Sequence, residues 1–142
     1  MDNIEQGSPE WFKLRLGKIT ASKIHVVMMK DDSETKKKYK MELVRERISE
    51  SKSDGYTNAA MERGIALEPL ARAVYEIKNN VTVEQVPFIN HPVIYNAGAS
   101  PDGLVGRDGL VEIKCPNPAN HLQHILDGGI DLIKTYKYQV QW

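Results

Sequence analysis

Two rhythms of apolar and polar residues run along this chain, and the change between them divides it. Up to about residue 78 apolar positions recur at helical spacing, from about 81 to 115 mostly at every second residue, and after that helically again. Ser8-Pro9-Glu10 has the form of a helix start: a capping hydroxyl, a proline in the first turn and an acid at the positive end. That helix is predicted to run to about Leu16, with Gly17 ending it. Thr20 is placed to cap a second, short helix through Val27, whose face holds Ile24 and Val27, with Ser22 near its positive end. Segment 31–50 is highly charged, with Met41, Val44 and Ile48 on one side, which predicts a solvent-exposed helix over 34–50. Acids are interleaved around Lys36-Lys37-Lys38, so that run reads as a solvated face. Segment 51–56 is a polar loop turning at Asp54-Gly55. Segment 58–78 is rich in Ala, Leu, Glu and Arg and predicts helix, interrupted at Pro69. A residue before proline is disfavoured in helical geometry, so at Glu68 either the helix kinks or two helices meet.

The alternating part predicts strands at 81–86, 91–95, 104–105 and 110–115. Beyond Pro116 and Pro118 a helix is expected over 119–126, stopped by Gly128-Gly129. A last helix begins near Leu132 and is still running at Trp142. There are no internal repeats and no low-complexity linker. Helices, then a strand cluster, then helices describe an α/β fold with a small mixed sheet, in a single domain over 1–142. The closing helix pattern has no cap, so C-terminal elements of the fold are expected to be missing.

Composition narrows the class. No apolar run is long enough to span a bilayer. The first ten residues carry three acids and no base, the reverse of a secretory leader, so the expected location is the cytoplasm of the cell that makes the chain. Cys115 is the single cysteine, which excludes an intrachain disulfide and a cysteine-based zinc cluster. Nineteen basic residues balance nineteen acidic ones, which argues against a coat protein for nucleic acid. The distribution is uneven, however: Lys13, Arg15, Lys18 and Lys23 lie in a stretch without acids. An enzyme that commits acids to a metal can be neutral overall and still act on DNA.

The chemistry concentrates in 100–114. Glu112 and Lys114 are two apart on a predicted strand, so both leave the same face, with Val111 and Ile113 on the other. Whether Asp102 joins them depends on the hairpin. A two-residue tip at Asp108-Gly109 sets Asp102 opposite Cys115 and points it away. A three-residue tip, Arg107-Asp108-Gly109 with Gly109 left-handed, sets Asp102 opposite Lys114 and Leu104 opposite Glu112, and the polar groups converge. The convergent register is the expected one. Two carboxylates this close repel unless a cation lies between them, and oxygen donors suit Mg²⁺, with Mn²⁺ able to substitute. The Ile113 carbonyl lies between the two same-face side chains as a third ligand. Such an ion lowers the pKa of a bound water and polarises a phosphate, while Lys114 orients the water or meets the charge growing on phosphorus. An ordinary surface hairpin with a Glu–Lys pair leaves the same short trace.

The order Pro101-Asp102, about ten residues, then Glu112-Ile113-Lys114 resembles the PD-(D/E)xK nuclease superfamily. A longer set of motifs is more specific: Gln6-Gly7-Ser8-Pro9-Glu10-Trp11, Arg15, Thr20-Ala21-Ser22, Gly64, Glu68, Ser100-Pro101-Asp102-Gly103, Glu112-Ile113-Lys114-Cys115-Pro116, Gly128-Gly129, then Tyr136, Gln139 and Gln141. In order and spacing it is similar to the YqaJ-type viral recombinase family, to which the phage lambda exonuclease belongs. The resemblance implies a restriction-endonuclease-like core and a Mg²⁺-dependent 5′→3′ exonuclease. Such an enzyme loads on double-stranded DNA ends and leaves a 3′ overhang for a single-strand annealing partner in phage-type recombination. It implies metal on Asp102, Glu112 and the Ile113 carbonyl, Lys114 assisting the water, and Glu68 as a further acid. Arg15, Ser22 and Ser100 take the positions that hold a 5′-phosphate, and Tyr136 and Gln139 flank the active site. Family members often form a ring-shaped trimer. Physically, Arg15 offers a forked donor for phosphate oxygens, and Ser22 lies near a helix start that favours anions.

Two other functions fit the same residues: an endonuclease of that superfamily, of junction or restriction type, and a non-catalytic DNA-end-binding or recombination module. His121 and His124, three apart on a predicted helix, read as a solvated face, because no third ligand is in register. His25 and His91 have no partners in sequence. Cys115 and Trp11 read as packing residues.

Overall fold

The computed structural model describes residues 4–51 and 58–142; the Asp54-Gly55 turn lies outside them. The chain divides into two compact units. The first gathers the described residues of Met1–Gly55, Val86–Ser100 and Tyr138–Trp142. The second gathers those of Tyr56–Gln85 and Pro101–Lys137.

In the first unit α1 (Pro9–Arg15) starts as its sequence predicts, with the Ser8 hydroxyl accepting from the Trp11 N–H at 3.2 Å. It ends at Gly17, whose N–H donates to Glu46 at 2.9 Å and whose carbonyl accepts from Arg47 Nε at 2.7 Å. Both partners lie on α3 (Glu34–Ser49), so one helix fixes the exit of the other. The short helix expected after Thr20 is a 3₁₀ turn, Ala21–Lys23, running into α2 (Ile24–Val27), which packs on α3. Met41, Val44 and Ile48 are exposed, and the buried residue of α3 is Tyr39.

The three strands of this unit escaped the alternation pattern. β1 (Ile19–Thr20) pairs parallel with β3 (Ala97–Ala99), and β2 (Ile89–Asn90) pairs antiparallel with β3, giving a mixed sheet of order β1-β3-β2. Ala-Gly-Ala carries no strand-forming bulk. It works here because a Cβ on Gly98 would strike the Phe88 ring and the Ile89 carbonyl, so only the smallest residue lets the strands close. The strand expected at 91–95 is absent. The His91 imidazole Nδ1 accepts from the N–H groups of Val93 at 3.1 Å and Ile94 at 2.9 Å, which closes a turn and takes donors that a ladder would need.

In the second unit α4 (Ala59–Asn79) is one continuous helix with Pro69 inside it, capped by the Asn58 side chain on the Met61 N–H at 2.9 Å. The strand expected at 81–86 reduces to a single bridge, Glu84 to Leu104. The end of α4 captures the donors of that segment: the Val81 N–H goes to the Glu76 carbonyl at 3.1 Å and the Val83 N–H to the Glu76 carboxylate at 2.7 Å. β4 (Gly103–Val105) and β5 (Gly109–Val111) form an antiparallel hairpin. α5 (Pro118–Leu126) is capped by Asn117 and followed by Gly128-Gly129, and α6 (Ile130–Gln141) runs on into the other unit. Val83 and Val111 are buried here, and so is Arg72. Among the described residues no helix is long and apolar enough to cross a membrane.

Candidate active site

The hairpin of the second unit decides which side chains meet. Its tip has three residues, as expected, but they are 106–108, with Gly106 at φ +63° and Val105 paired with Gly109. The left-handed position falls on Gly106, where it costs little, and not on Gly109. Pairing is therefore two residues away from the expected register. Gly103 faces Val111, and that register continued one step would set Asp102 opposite Glu112 rather than Lys114. A shift of two preserves the face, so the convergence of Asp102, Glu112 and Lys114 survives the correction.

β5 stops at Val111, short of the strand predicted to residue 115, because Asp102 Oδ2 accepts from the Ile113 N–H at 2.5 Å. That bond ties Asp102 to the segment carrying Glu112. Two residues on, Lys114 Nζ donates to Glu112 Oε1 at 2.7 Å and lies 4.4 Å from the centroid of the Tyr136 ring on α6. Glu68, on α4, pairs with Arg72 one turn later at 2.5 Å.

The acids feel one another. Glu68 has its pKa raised by burial first, then by repulsion from Asp102 and from Glu112, against the attraction of Arg72. Asp102 is raised chiefly by burial, which outweighs the Ile113 N–H, Lys114 and Arg72. Glu68 and Asp102, whose charged forms are penalised by burial, together with Glu112 form a donor set that fits a hard divalent cation.

The first unit assembles a different set. Arg15, at the end of α1, lies 3.9 Å over the Trp11 ring, and burial lowers its pKa against the pull of Tyr39 and Glu46. The Trp11 indole N–H donates to the Ser100 hydroxyl at 3.0 Å and to the Pro87 carbonyl at 2.9 Å. Trp11 thus links two of the expected phosphate residues, a role that its reading as a packing residue overlooked. The motif held the signal, since Trp11 and Arg15 are four apart on one helix face. Ser22 is exposed, its hydroxyl 3.2 Å from that of Thr20. Gln139 follows Tyr136 by three residues on α6 and is half-buried.

Arg72 was also overlooked, although its spacing of four from Glu68 was there to read. His124 joins Asp127 and Asp131, not His121, with ligand atoms within 4.8 Å of one another. Helix capping accounts for Asp127, which accepts from the Gly129 N–H at 2.8 Å and the Asp131 N–H at 3.3 Å, at the start of α6.

Small sheets flanked by helices make an α/β arrangement shared with exonucleases of known structure. LHK-Exo in complex with dAMP superimposes with a TM-score of 0.85 at 44% identity, over 94% of this chain and 66% of that one. A second structure, the alkaline exonuclease LHK-Exo from Laribacter hongkongensis, gives 0.78 at 46% identity, over 85% of this chain and 60% of that one. This chain therefore spans less than two thirds of the length of those proteins. No match was found among curated proteins. The sequence model of the YqaJ-like viral recombinase domain matches residues 10–142, and the chain belongs to that family.

Proposed function

We propose that this chain is a divalent-metal-dependent exonuclease that degrades one strand of linear duplex DNA, 5′→3′, from a 5′-phosphorylated end. The observation that carries the proposal is the hairpin geometry: Asp102 bonded to the Ile113 N–H, with Glu112 and Lys114 paired beside it and Glu68 within their electrostatic reach. Asp102, Glu112 and the Ile113 carbonyl would hold Mg²⁺ or Mn²⁺, which supplies a water of lowered pKa and a polarised phosphate when bound. Lys114 sets a cation beside the scissile phosphate, where negative charge grows during attack. Tyr136 keeps that ammonium in place through its ring face.

Arg15, Ser100 and Ser22 are the binding groups for the terminal 5′-phosphate. The Trp11 ring holds the guanidinium flat, and its indole N–H holds Ser100. The relative crystallised with dAMP is consistent with a mononucleotide product. Under this reading the whole chain acts as one nuclease domain in the cytoplasm of the host cell. It hands the 3′ overhang to a single-strand annealing protein during recombination, and a ring of copies around DNA belongs to the same proposal.

The test is a Mg²⁺-dependent digest of linear duplex 5′-phosphorylated on one strand only, beside closed circular DNA. The expected result is loss of the phosphorylated strand, mononucleotide release and intact circles. Cleaved circles would make the protein an endonuclease. No cleavage of either, with duplex ends still bound, would leave an end-binding module.

A further inference from the structure

Arg72 is a buried cation beside a group of acids. Its Nη2 meets Glu68 Oε1, and its charge is felt at Asp102 as well as at Glu68. On its other side stands Gln85. With the amide oxygen turned to the guanidinium, Gln85 accepts from Nη1 at 3.0 Å and from Nη2 at 3.2 Å. Gln85 directly follows Glu84, whose N–H and carbonyl each bond Leu104 of β4 at 2.8 Å. A chain of contacts therefore runs from the hairpin that carries Asp102, through Gln85 and Arg72, to Glu68 on α4.

We propose that Arg72 is the positioning residue of the carboxylate site: it fixes the aim of Glu68, is itself fixed by Gln85, and holds the site's affinity for a divalent cation below what the acids alone would give. The inference rests on reading that site as a metal site. Three acids, Glu68, Asp102 and Glu112, stand against two bases, Lys114 and Arg72. Removing one base makes the site more attractive to a cation and at the same time leaves Glu68 free to move. Affinity and turnover should then change in opposite senses. An arginine that merely supported the fold would lower both when lost.

The experiment is calorimetric titration of the full chain with Mn²⁺, beside cleavage of linear duplex. Arg72→Gln is expected to bind Mn²⁺ about three- to tenfold more tightly, through the lost like-charge repulsion, while cleavage falls about tenfold. Arg72→Lys keeps the charge without the fork, so Mn²⁺ affinity stays within about twofold while cleavage still falls. Unchanged or weaker Mn²⁺ binding by Arg72→Gln overturns the inference. If that variant melts too low to measure, Gln85→Glu replaces it. That exposed side chain would then draw the guanidinium away from Glu68, with the same tightening expected, and no change overturns the inference. Glu112→Gln separates the two readings. If it leaves Mn²⁺ binding intact, the metal-site reading fails and this inference with it. If it abolishes binding while Arg72→Gln fails to tighten it, only the role of Arg72 is lost.

Discussion

The carboxylate site of the second unit and the arginine cluster of the first meet the same physical problem with opposite signs. In the second unit burial raises Glu68 and Asp102, so their anions are disfavoured as they stand. In the first unit burial lowers Arg15, so its cation is disfavoured, although the Trp11 face offsets part of that. A partly desolvated charge is relieved by a ligand of the other sign. One cluster therefore suits a cation and the other an anion, as the proposed metal-dependent action on a phosphate terminus would require. Neither requirement is visible in the net charge of the chain, which is zero.

The comparison can be broken most severely at Lys114. Lys114→Ala should slow cleavage about 10²- to 10³-fold, because under the proposed mechanism the charge it meets exists only in the transition state. Duplex affinity, measured by anisotropy in Ca²⁺, should stay near wild type; an equal loss of affinity would make Lys114 a binding residue. Next is Arg15→Ala, expected to cost about 10- to 100-fold on 5′-phosphorylated ends and little on 5′-hydroxyl ends, the range for a charge-assisted bond. Equal losses on both ends would dissolve the distinction between the clusters. Trp11→Phe keeps a ring under the guanidinium and removes the N–H to Ser100, so a loss of about threefold on phosphorylated ends is expected. A loss as large as that of Arg15→Ala would place the main effect in the stacking geometry instead.

The smallest effect is on stability. Folded pKa values raised above the unfolded ones give stability that is complete below the unfolded carboxylate range, about pH 4, and is lost as pH rises through the folded values. Asp102→Asn removes that loss and can still accept from the Ile113 N–H. Without metal it should melt about 2 °C higher at pH 8 and show no gain at pH 4. A gain of equal size at both pH values would point to packing rather than ionisation.

The sequence disclosed the site better than the sheet around it. The shared facing of Asp102, Glu112 and Lys114 was legible because facing along a hairpin depends only on whether the pairing offset is odd or even, and the true register differs from the expected one by an even step. The helix starts at Ser8 and Pro118 were legible because capping is local chemistry. The strands failed where distant groups decided. Alternation at 81–86 and 91–95 promised ladders, but Glu76 and the His91 imidazole took the donors. Ala97–Ala99 promised nothing and became the central strand, because its value lies in how little room it takes against Phe88. Arg72 lies outside the motifs, and Trp11, although within one, reads as packing until its contacts with Arg15 and Ser100 are seen.

The three-residue tip at 106–108 also limits how this hairpin can change length. Adding or deleting a pair of residues there leaves Asp102 and Glu112 looking the same way. A single inserted residue has two outcomes: it is taken up as a bulge at the tip, or it turns Asp102 to the far side of the ribbon and separates the acids. Natural and engineered variants of this segment that retain cleavage should therefore differ in size by an even number of residues or carry the odd residue as a bulge at the tip.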